Sequence, residues 1–324
     1  LVDFPVVNLL DVIQHEYFGH GWRARDYGFD PVYSIDVPLP YGDGGGETGI
    51  TFAEFNSLTL HQKAAWETGG VESTEIMGRI LGEKVFACQM MDYREALLYL
   101  MAYQDLTLYL YTIRDESEVN DSHDMRAYLL SLREIYGTNA ISYNDLRGKA
   151  WINLLDPLTW FSATSLWQYL WSAEKCQEIP VIHWGYGSVL PAIRYSLAPY
   201  GPEYGLYSYF CLNHRSGVAY MRYGETEGQT SWAIGVKAND VIDIWDDIRL
   251  GGRLDFWWQP KLNTSNPADP GSRVGMAASA RATYCLGETW GATMELGGKT
   301  WGYLPGESLD ADFILRLGVT FYTD

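Results

Sequence analysis

From the N-terminus to about Glu178, apolar positions recur at the three- and four-residue spacing of helices. Val6, Val7, Leu9, Leu10 and Ile13 form the first run, and Arg23, Arg25 and Gly28 supply the basic-then-glycine pattern of a helix end. Leu58 to Thr68 predicts a further helix, Gly69-Gly70 a break, and Val71 to Cys88 another helix. Tyr93 to Arg114 reads as a long apolar helix interrupted by Gln104 and Asp105. An unpaired acid at mid-span is costly in lipid, so this helix is expected inside a protein core. Ser122 to Tyr136 is amphipathic. Trp151 to Trp171 is rich in aromatics, with Asp156-Pro157 as its break or cap. Its tryptophans suit either a membrane surface or ordinary packing against the rest of the chain.

After Gly185 the period falls to two. In Phe313 to Phe321 one face carries Phe313, Leu315, Leu317 and Val319, and the other Arg316, Gly318 and Thr320. Ile248 to Trp258 sets Leu250, Leu254 and Phe256 against Arg249, Arg253 and Asp255. Arg273 to Leu286, Trp290 to Lys299 and Ser231 to Ala238 alternate in the same way, and Ser188 to Leu197, Tyr204 to Leu212 and Gly217 to Tyr223 do so more weakly. This predicts about eight antiparallel strands of roughly ten residues, the pattern of a transmembrane β-barrel with an apolar outside and a polar inside. A closed barrel of that size is filled by side chains. Opposite charges on the polar faces (Arg249, Arg253, Arg281, Arg316 and Lys237 against Asp255 and Glu295) would form an internal ion-pair network. A soluble sandwich alternates too, with its apolar face inward, and alternation does not say which face is inside. The Gly, Ser and Thr on the polar faces and the aromatics near strand ends favour the membrane.

Composition narrows the class. The chain has 324 residues, a formal charge of −18, and an excess of aromatics with Trp 13 and Tyr 24. The acidic balance argues against nucleic acid, and Gly44-Gly45-Gly46 lacks the Lys-Ser/Thr of a phosphate loop. Cys88, Cys176, Cys211 and Cys285 have no metal-knuckle spacing, and a Cys88–Cys176 bridge is conceivable in an oxidising compartment. The chain opens at Leu1 straight into an apolar helix, so a preceding portion is expected.

The candidate chemistry lies in His15-Glu16-Tyr17-Phe18-Gly19-His20. Two histidines four apart on a helix chelate zinc, and the glutamate between them activates water. Here they are five apart, which rotates the second ring by roughly 140° on a regular α-helix. A π-bulge absorbs one residue and would restore the chelate, and Gly19 and Gly21 permit the irregular backbone. Without it, the two histidines are ordinary helix residues.

The segment resembles the H-E-x-x-H motif of zincin-type metallopeptidases with one residue inserted. The final strand resembles the closing strand of bacterial outer-membrane proteins, although the chain runs on to Tyr322-Thr323-Asp324. The first resemblance implies zinc held by His15 and His20, Glu16 as general base, and a glutamate on a later helix as third ligand. Glu72 and Glu75, three apart behind the glycine pair, are the candidates, one as ligand and the other supporting a histidine. Acids in a first helical turn also favour the helix dipole without doing chemistry. His61, His123, His183 and His214 read as structural, and a tyrosine such as Tyr17 could stabilise an oxyanion.

The expectation is therefore an α+β chain, with a helical zincin-like domain over residues 1–180 and an eight-stranded outer-membrane barrel over 181–324. It would act as a zinc-dependent hydrolase on peptide or protein, anchored in outer-membrane lipid with the helical part periplasmic, beside other membrane or periplasmic proteins. The alternatives are a binding or assembly protein with a structural or lost metal, and a zinc-dependent lipid or amide hydrolase.

Overall fold

The computed structural model describes residues 2–113, 116–120, 123–137, 140–213, 215–245, 247–264, 266–287 and 290–321, without the side chains of 240, 243–245, 320 and 321. Helix α1 (Asp3–His15) passes through a π-helical turn (Glu16–His20) into α2 (Gly21–Asp26). Strands β1 (Val32–Ile35) and β2 (Gly46–Gly49) form a small antiparallel hairpin. Helices α3 (Phe52–Ser57), α4 (Leu60–Glu67) and α5 (Gly69–Cys88) follow, then β3 (Met90–Asp92) and α6 (Tyr93–Thr112). After α7 (Asp124–Tyr136) and α8 (Tyr143–Ala150), a 3₁₀ turn (Trp151–Leu155) leads to α9 (Pro157–Ser172). Strand β4 (Cys176–Glu178) pairs with β3.

Local chemistry fixes these ends. Thr51 with Glu54, Thr59 with Gln62 and Ser142 with Asp145 form capping boxes, each satisfying two orphan backbone donors. Asp156 caps α9 by accepting from the Thr159 amide, and Pro157 takes the first helical position. The expected break at Gly69-Gly70 falls at Thr68, and the glycines open α5.

The rest is one antiparallel sheet in sequential order: β5 (Ile182–Trp184), β6 (Gly187–Ala198), β7 (Gly201–Leu212), β8 (Arg215–Thr226), β9 (Gln229–Trp245), β10 (Ile248–Trp258), β11 (Val274–Leu286), β12 (Trp290–Lys299) and β13 (Asp312–Phe321). Eight of the nine are long, at the eight places where the alternation predicts them. Among the described residues β5 and β13 are the edges, and no pairing closes the sheet into a barrel. There is a physical reason. A closed eight-stranded barrel has room only for side chains, whereas the polar face of this sheet takes in a whole helix. Helix α5 lies in the trough: Gly82 fits beneath Tyr209, Glu75 faces Arg194, and Glu83 meets Lys237 across 2.8 Å.

The two faces of the sheet are sorted as the alternation requires. Leu206, Met221, Ile234, Phe256, Leu296 and Leu317 point outward and are exposed. Inward lie Arg253 against Asp255 (2.6 Å) and Arg316 against Glu295 (3.2 Å), part of the ion-pair network expected from the sequence, while Arg222 against Glu203 (2.9 Å), Glu307 and the helix residue Glu83 were not foreseen. The register also aligns aromatics. Tyr204, Tyr223, Trp232 and Trp258 are successive partners across β7 to β10; Tyr204 packs against the helices, and the other three form an exposed row at one end of the sheet. Tyr284 and Trp290 are exposed at the other end.

The change of element type near residue 180 is not a packing boundary. Tyr195 and Leu197 of β6 share a hydrophobic cluster with Leu106, Tyr128 and Leu129, and Leu190, Tyr207 and Tyr209 share another with Val85, Tyr99 and Leu158. Among the described residues no helix is long and apolar enough to cross a membrane, and the long helix α6 is a core helix as expected. None of the four cysteines is in a disulfide, so the Cys88–Cys176 bridge is not formed.

Candidate metal centre

The π-helical turn sits where the inserted residue requires it. It spans Glu16 to His20 and returns His20 to the side of His15. The backbone there is crowded: a β-carbon on Gly19 would lie 2.6 Å from Gly69 O and Gly70 Cα. The glycine pair at the head of α5 therefore lets the two helices touch backbone to backbone.

Both imidazoles are held by their Nδ1 atoms. His15 Nδ1 donates to Asp105 Oδ2 at 2.8 Å, and Thr74 Oγ1 donates to the same oxygen at 2.8 Å. His20 Nδ1 donates to the Trp66 carbonyl at 2.7 Å, while Trp66 Nε1 donates back to His20 O at 3.2 Å. Anchoring at Nδ1 fixes each ring and leaves Nε2 as the ligating atom. The two Nε2 atoms are 3.2 Å apart, and Asp124 Oδ2 lies 3.2 Å from one and 3.3 Å from the other. Three donors with these separations outline one face of a tetrahedron, and edges of this length put its centre about 2.0 Å from each donor, the zinc–nitrogen and zinc–oxygen distance. His15, His20 and Asp124 thus form a possible metal-binding triad whose donor set and spacing fit a tetrahedral cation.

The electrostatics agree. Burial opposes charge on His15, yet Asp105 and Asp124 outweigh it and lift the imidazole well above its usual range. His20 is raised too: burial opposes its charge, but Asp124 overcomes it. Burial alone would raise Asp124, but the two imidazoles hold its carboxyl below the usual carboxylate range. The acids thus favour positive charge between the rings, which a bound cation would supply in place of protons.

Glu16 and His20 line a cleft of about 1230 Å³ with Thr48, Glu67, Tyr109 and Asp124. The Glu16 carboxylate accepts from Thr48 Oγ1 at 2.7 Å, and Gly46 keeps the β2 backbone clear of its side chain. Tyr109 stacks on His15 with centroids 5.3 Å apart, and its hydroxyl is 3.5 Å from His15 Nε2. Burial, then repulsion from Asp124, pushes the Glu67 carboxyl at the cleft wall well above the usual carboxyl range.

The structure brings together His15, Glu16 and His20 of the residues expected from sequence, and not Glu72 or Glu75. Glu72 is committed elsewhere. Arg23 grips both of its oxygens at 2.7 Å, and the Gly306 amide donates to Oε1 at 2.6 Å. Glu75 faces Arg79, Arg194 and Tyr207 in the trough. The first helical turn of α5 does approach the histidines, but through Gly69 and Gly70, so the acids project from its other side. The third corner is Asp124, which the sequence reading passed over by treating its neighbour His123 as part of a helix start. Asp105 had a signal: an acid inside an apolar helix needs a buried partner, and His15 is that partner. His61 meets the Asn263 amide, His123 packs beside Tyr109, and His183 is in the β5 edge strand. His214 lies outside the described residues. Tyr17 packs on Tyr33 and beneath Arg25, while Tyr109 has the position beside the triad.

Compared with known proteins, the chain matches no family model, and no curated protein or solved structure is similar to it.

Proposed function

We propose that this protein is a zinc-dependent hydrolase of the metallopeptidase type, held in a bacterial outer membrane by its sheet. The observation that carries the catalytic half is the His15–His20–Asp124 triangle, with its tetrahedral edge lengths and both Nδ1 atoms anchored, beside a glutamate in the cleft. A zinc ion held there would supply Lewis acidity, bringing the pKa of water at the open position to about 7 and polarising a carbonyl.

The chain's own residues do the rest. Glu16, positioned by Thr48, takes a proton from the attacking water as its oxygen bonds to the carbonyl carbon. The C–N bond then breaks, and Glu16 returns the proton to the leaving amine. The Tyr109 hydroxyl, adjacent to the triad, donates to the oxygen that gains charge. Peptide is favoured over lipid as substrate by β2, which lines the cleft and pairs, among the described residues, only with β1; its other edge offers main-chain hydrogen bonds to an extended chain.

The membrane half rests on the sorting of the sheet's faces, with exposed aliphatic and aromatic side chains outside and ion pairs inside. From Trp258 to Ile248 strand β10 rises about 33 Å, or about 25 Å across a bilayer at a tilt near 40°, the height of an outer-membrane apolar band. Aromatic side chains mark both rims. With α5 in the trough, the sheet would act as an open barrel wall. In a bilayer the β5 and β13 edges of this wall would have to be covered, because hydrocarbon offers no partner for their backbone groups. At one end all four connections, 185–186, 213–214, 246–247 and 287–289, are short, while the opposite end has two short ones, 199–200 and 227–228, and two long ones, 259–273 and 300–311. Long loops belong to the external side of such proteins. The metal centre lies near that end, where Arg23 donates to Glu307 O, so this orientation turns it outward.

The test is Glu16→Gln in full-length protein reconstituted with zinc. Peptide hydrolysis should fall by about 100-fold or more with zinc still bound. Equal hydrolysis by variant and parent, or no hydrolysis by zinc-loaded parent on any peptide library, would contradict the catalytic reading, and the second result would favour a binding or assembly protein.

A further inference from the structure

Helix α9 carries an exposed stripe that neither the metal centre nor the sheet uses. Trp160, Trp167 and Trp171 are 60, 67 and 83 % exposed. They stand at i, i+7 and i+11, which at 100° per residue confines them to an arc of about 40°. The opposite face, with Leu158, Ser162 and Ser165, is buried. Trp151, Leu154 and Leu155 of the preceding 3₁₀ turn are also exposed. From Trp151 to Ser172 the sole acid or base is Asp156, which is fully buried as the helix cap. In a chain with 20 % charged residues this is an unusually neutral surface.

Of the three tryptophans, Trp160 turns its indole N–H back into the protein, and short hydroxyl side chains on the same helix do likewise. Trp160 Nε1 donates to Leu154 O at 2.7 Å, Thr164 Oγ1 to Phe161 O at 2.9 Å, and Ser172 Oγ to Gln168 O at 2.8 Å. Exposed indoles of this kind pair an apolar ring with an N–H donor, which suits the boundary where acyl chains meet water and headgroup oxygens. The end of α9 leads through β4 to β5, where Ile182, Trp184 and Tyr186 are exposed at the short-turn end. The apolar outer face begins there.

We infer that the tryptophan stripe of α9 is a lipid-contact surface, seated at the acyl–headgroup boundary beside the sheet's first strands. This rests on the membrane reading above. Lipid fits better than a protein partner, because the stripe offers no charge to recognise and its exposed indoles are amphipathic in the sense that the acyl–headgroup boundary favours.

Spin labels test it in the full chain, reconstituted into phosphatidylcholine vesicles after its four cysteines are replaced by serine. Labels are placed singly at Trp167→Cys, Leu170→Cys, Leu317→Cys on the outer sheet face and Glu134→Cys on α7. Collision with oxygen should dominate over collision with a water-soluble nickel chelate at 167, 170 and 317, and the order should reverse at 134. A water-like result at 167 and 170 with a lipid-like result at 317 overturns the inference and leaves the membrane reading standing. A water-like result at 317 as well overturns both. Protection from both reagents at 167 with spin–spin broadening would mean that a second copy covers the stripe, which also overturns it. Two label positions on the helix guard against a variant that fails to fold.

Discussion

Gly70 is the position at which a single methyl group should abolish the metal site while leaving the fold standing. A β-carbon there would lie 2.5 Å from His15 Cε1 and closer still to Cδ2 and Nε2. Ordinary contact begins at 3.4 Å, so the imidazole in Gly70→Ala must retreat by about 1 Å or more. Ligand distances in a zinc site hold to within about 0.2 Å, so a shift of that size removes His15 from the triad. With one of three ligands gone, zinc affinity should fall by at least 100-fold, which is about 2.7 kcal/mol. Stability should change far less. Alanine in a helix interior gains about 1 kcal/mol over glycine, against about 1–3 kcal/mol for local overpacking. The assay is zinc affinity by competition with a chromogenic chelator, alongside thermal melting of metal-free protein. Zinc binding by Gly70→Ala within threefold of the parent would refute the packing argument, because the ring would have found room that the structure does not offer.

Other consequences follow from the same geometry. Asp105→Asn should weaken zinc binding by about 10–100-fold, since it replaces the carboxylate that orients His15 Nδ1, and the same titration reads it. Glu72→Gln should leave zinc stoichiometry at the parent value yet cost about 3–5 kcal/mol in denaturant melts, because Arg23 would lose its buried partner; loss of zinc without loss of stability would restore Glu72 as a ligand. Burial holds His61 down to about 4 from an ordinary 6.5. Its folded-state pKa is depressed, so its contribution is intact above pH 6.5 and is lost as pH falls towards 4. On the order of 1–2 kcal/mol should disappear over that window, the ring being partly exposed, and His61→Gln should flatten the difference in melting curves recorded from pH 7 to 5.

Much of this protein was legible in its sequence, for identifiable reasons. Alternation located the eight long strands because a two-sided sheet must sort its side chains every second residue, and the inner pairs Arg253–Asp255 and Arg316–Glu295 follow from the same pattern. Closure was not legible. It depends on what fills the trough, and nothing local in Gly69–Cys88 says that this helix lies inside the sheet. The irregular turn at Glu16–His20 could be foreseen, since five-residue spacing permits a chelate only with an extra residue in the turn. The third ligand could not. Asp124 lies 104 residues beyond His20 and reaches it only because α7 packs beside α4. Proximity to a glycine break drew attention to Glu72 and Glu75, yet the close approach that those glycines allow is made by backbone, and it turns both carboxylates towards arginines instead.

The most direct test of the account is the zinc content of detergent-purified full-length protein, measured by mass spectrometry for the parent and for His20→Ala and Asp124→Ala. The account predicts close to one zinc per chain in the parent and essentially none in either variant, with Glu72→Ala protein that remains folded keeping its metal. A parent that binds no zinc after reconstitution, or an Asp124→Ala variant that keeps it, would contradict the triad of His15, His20 and Asp124.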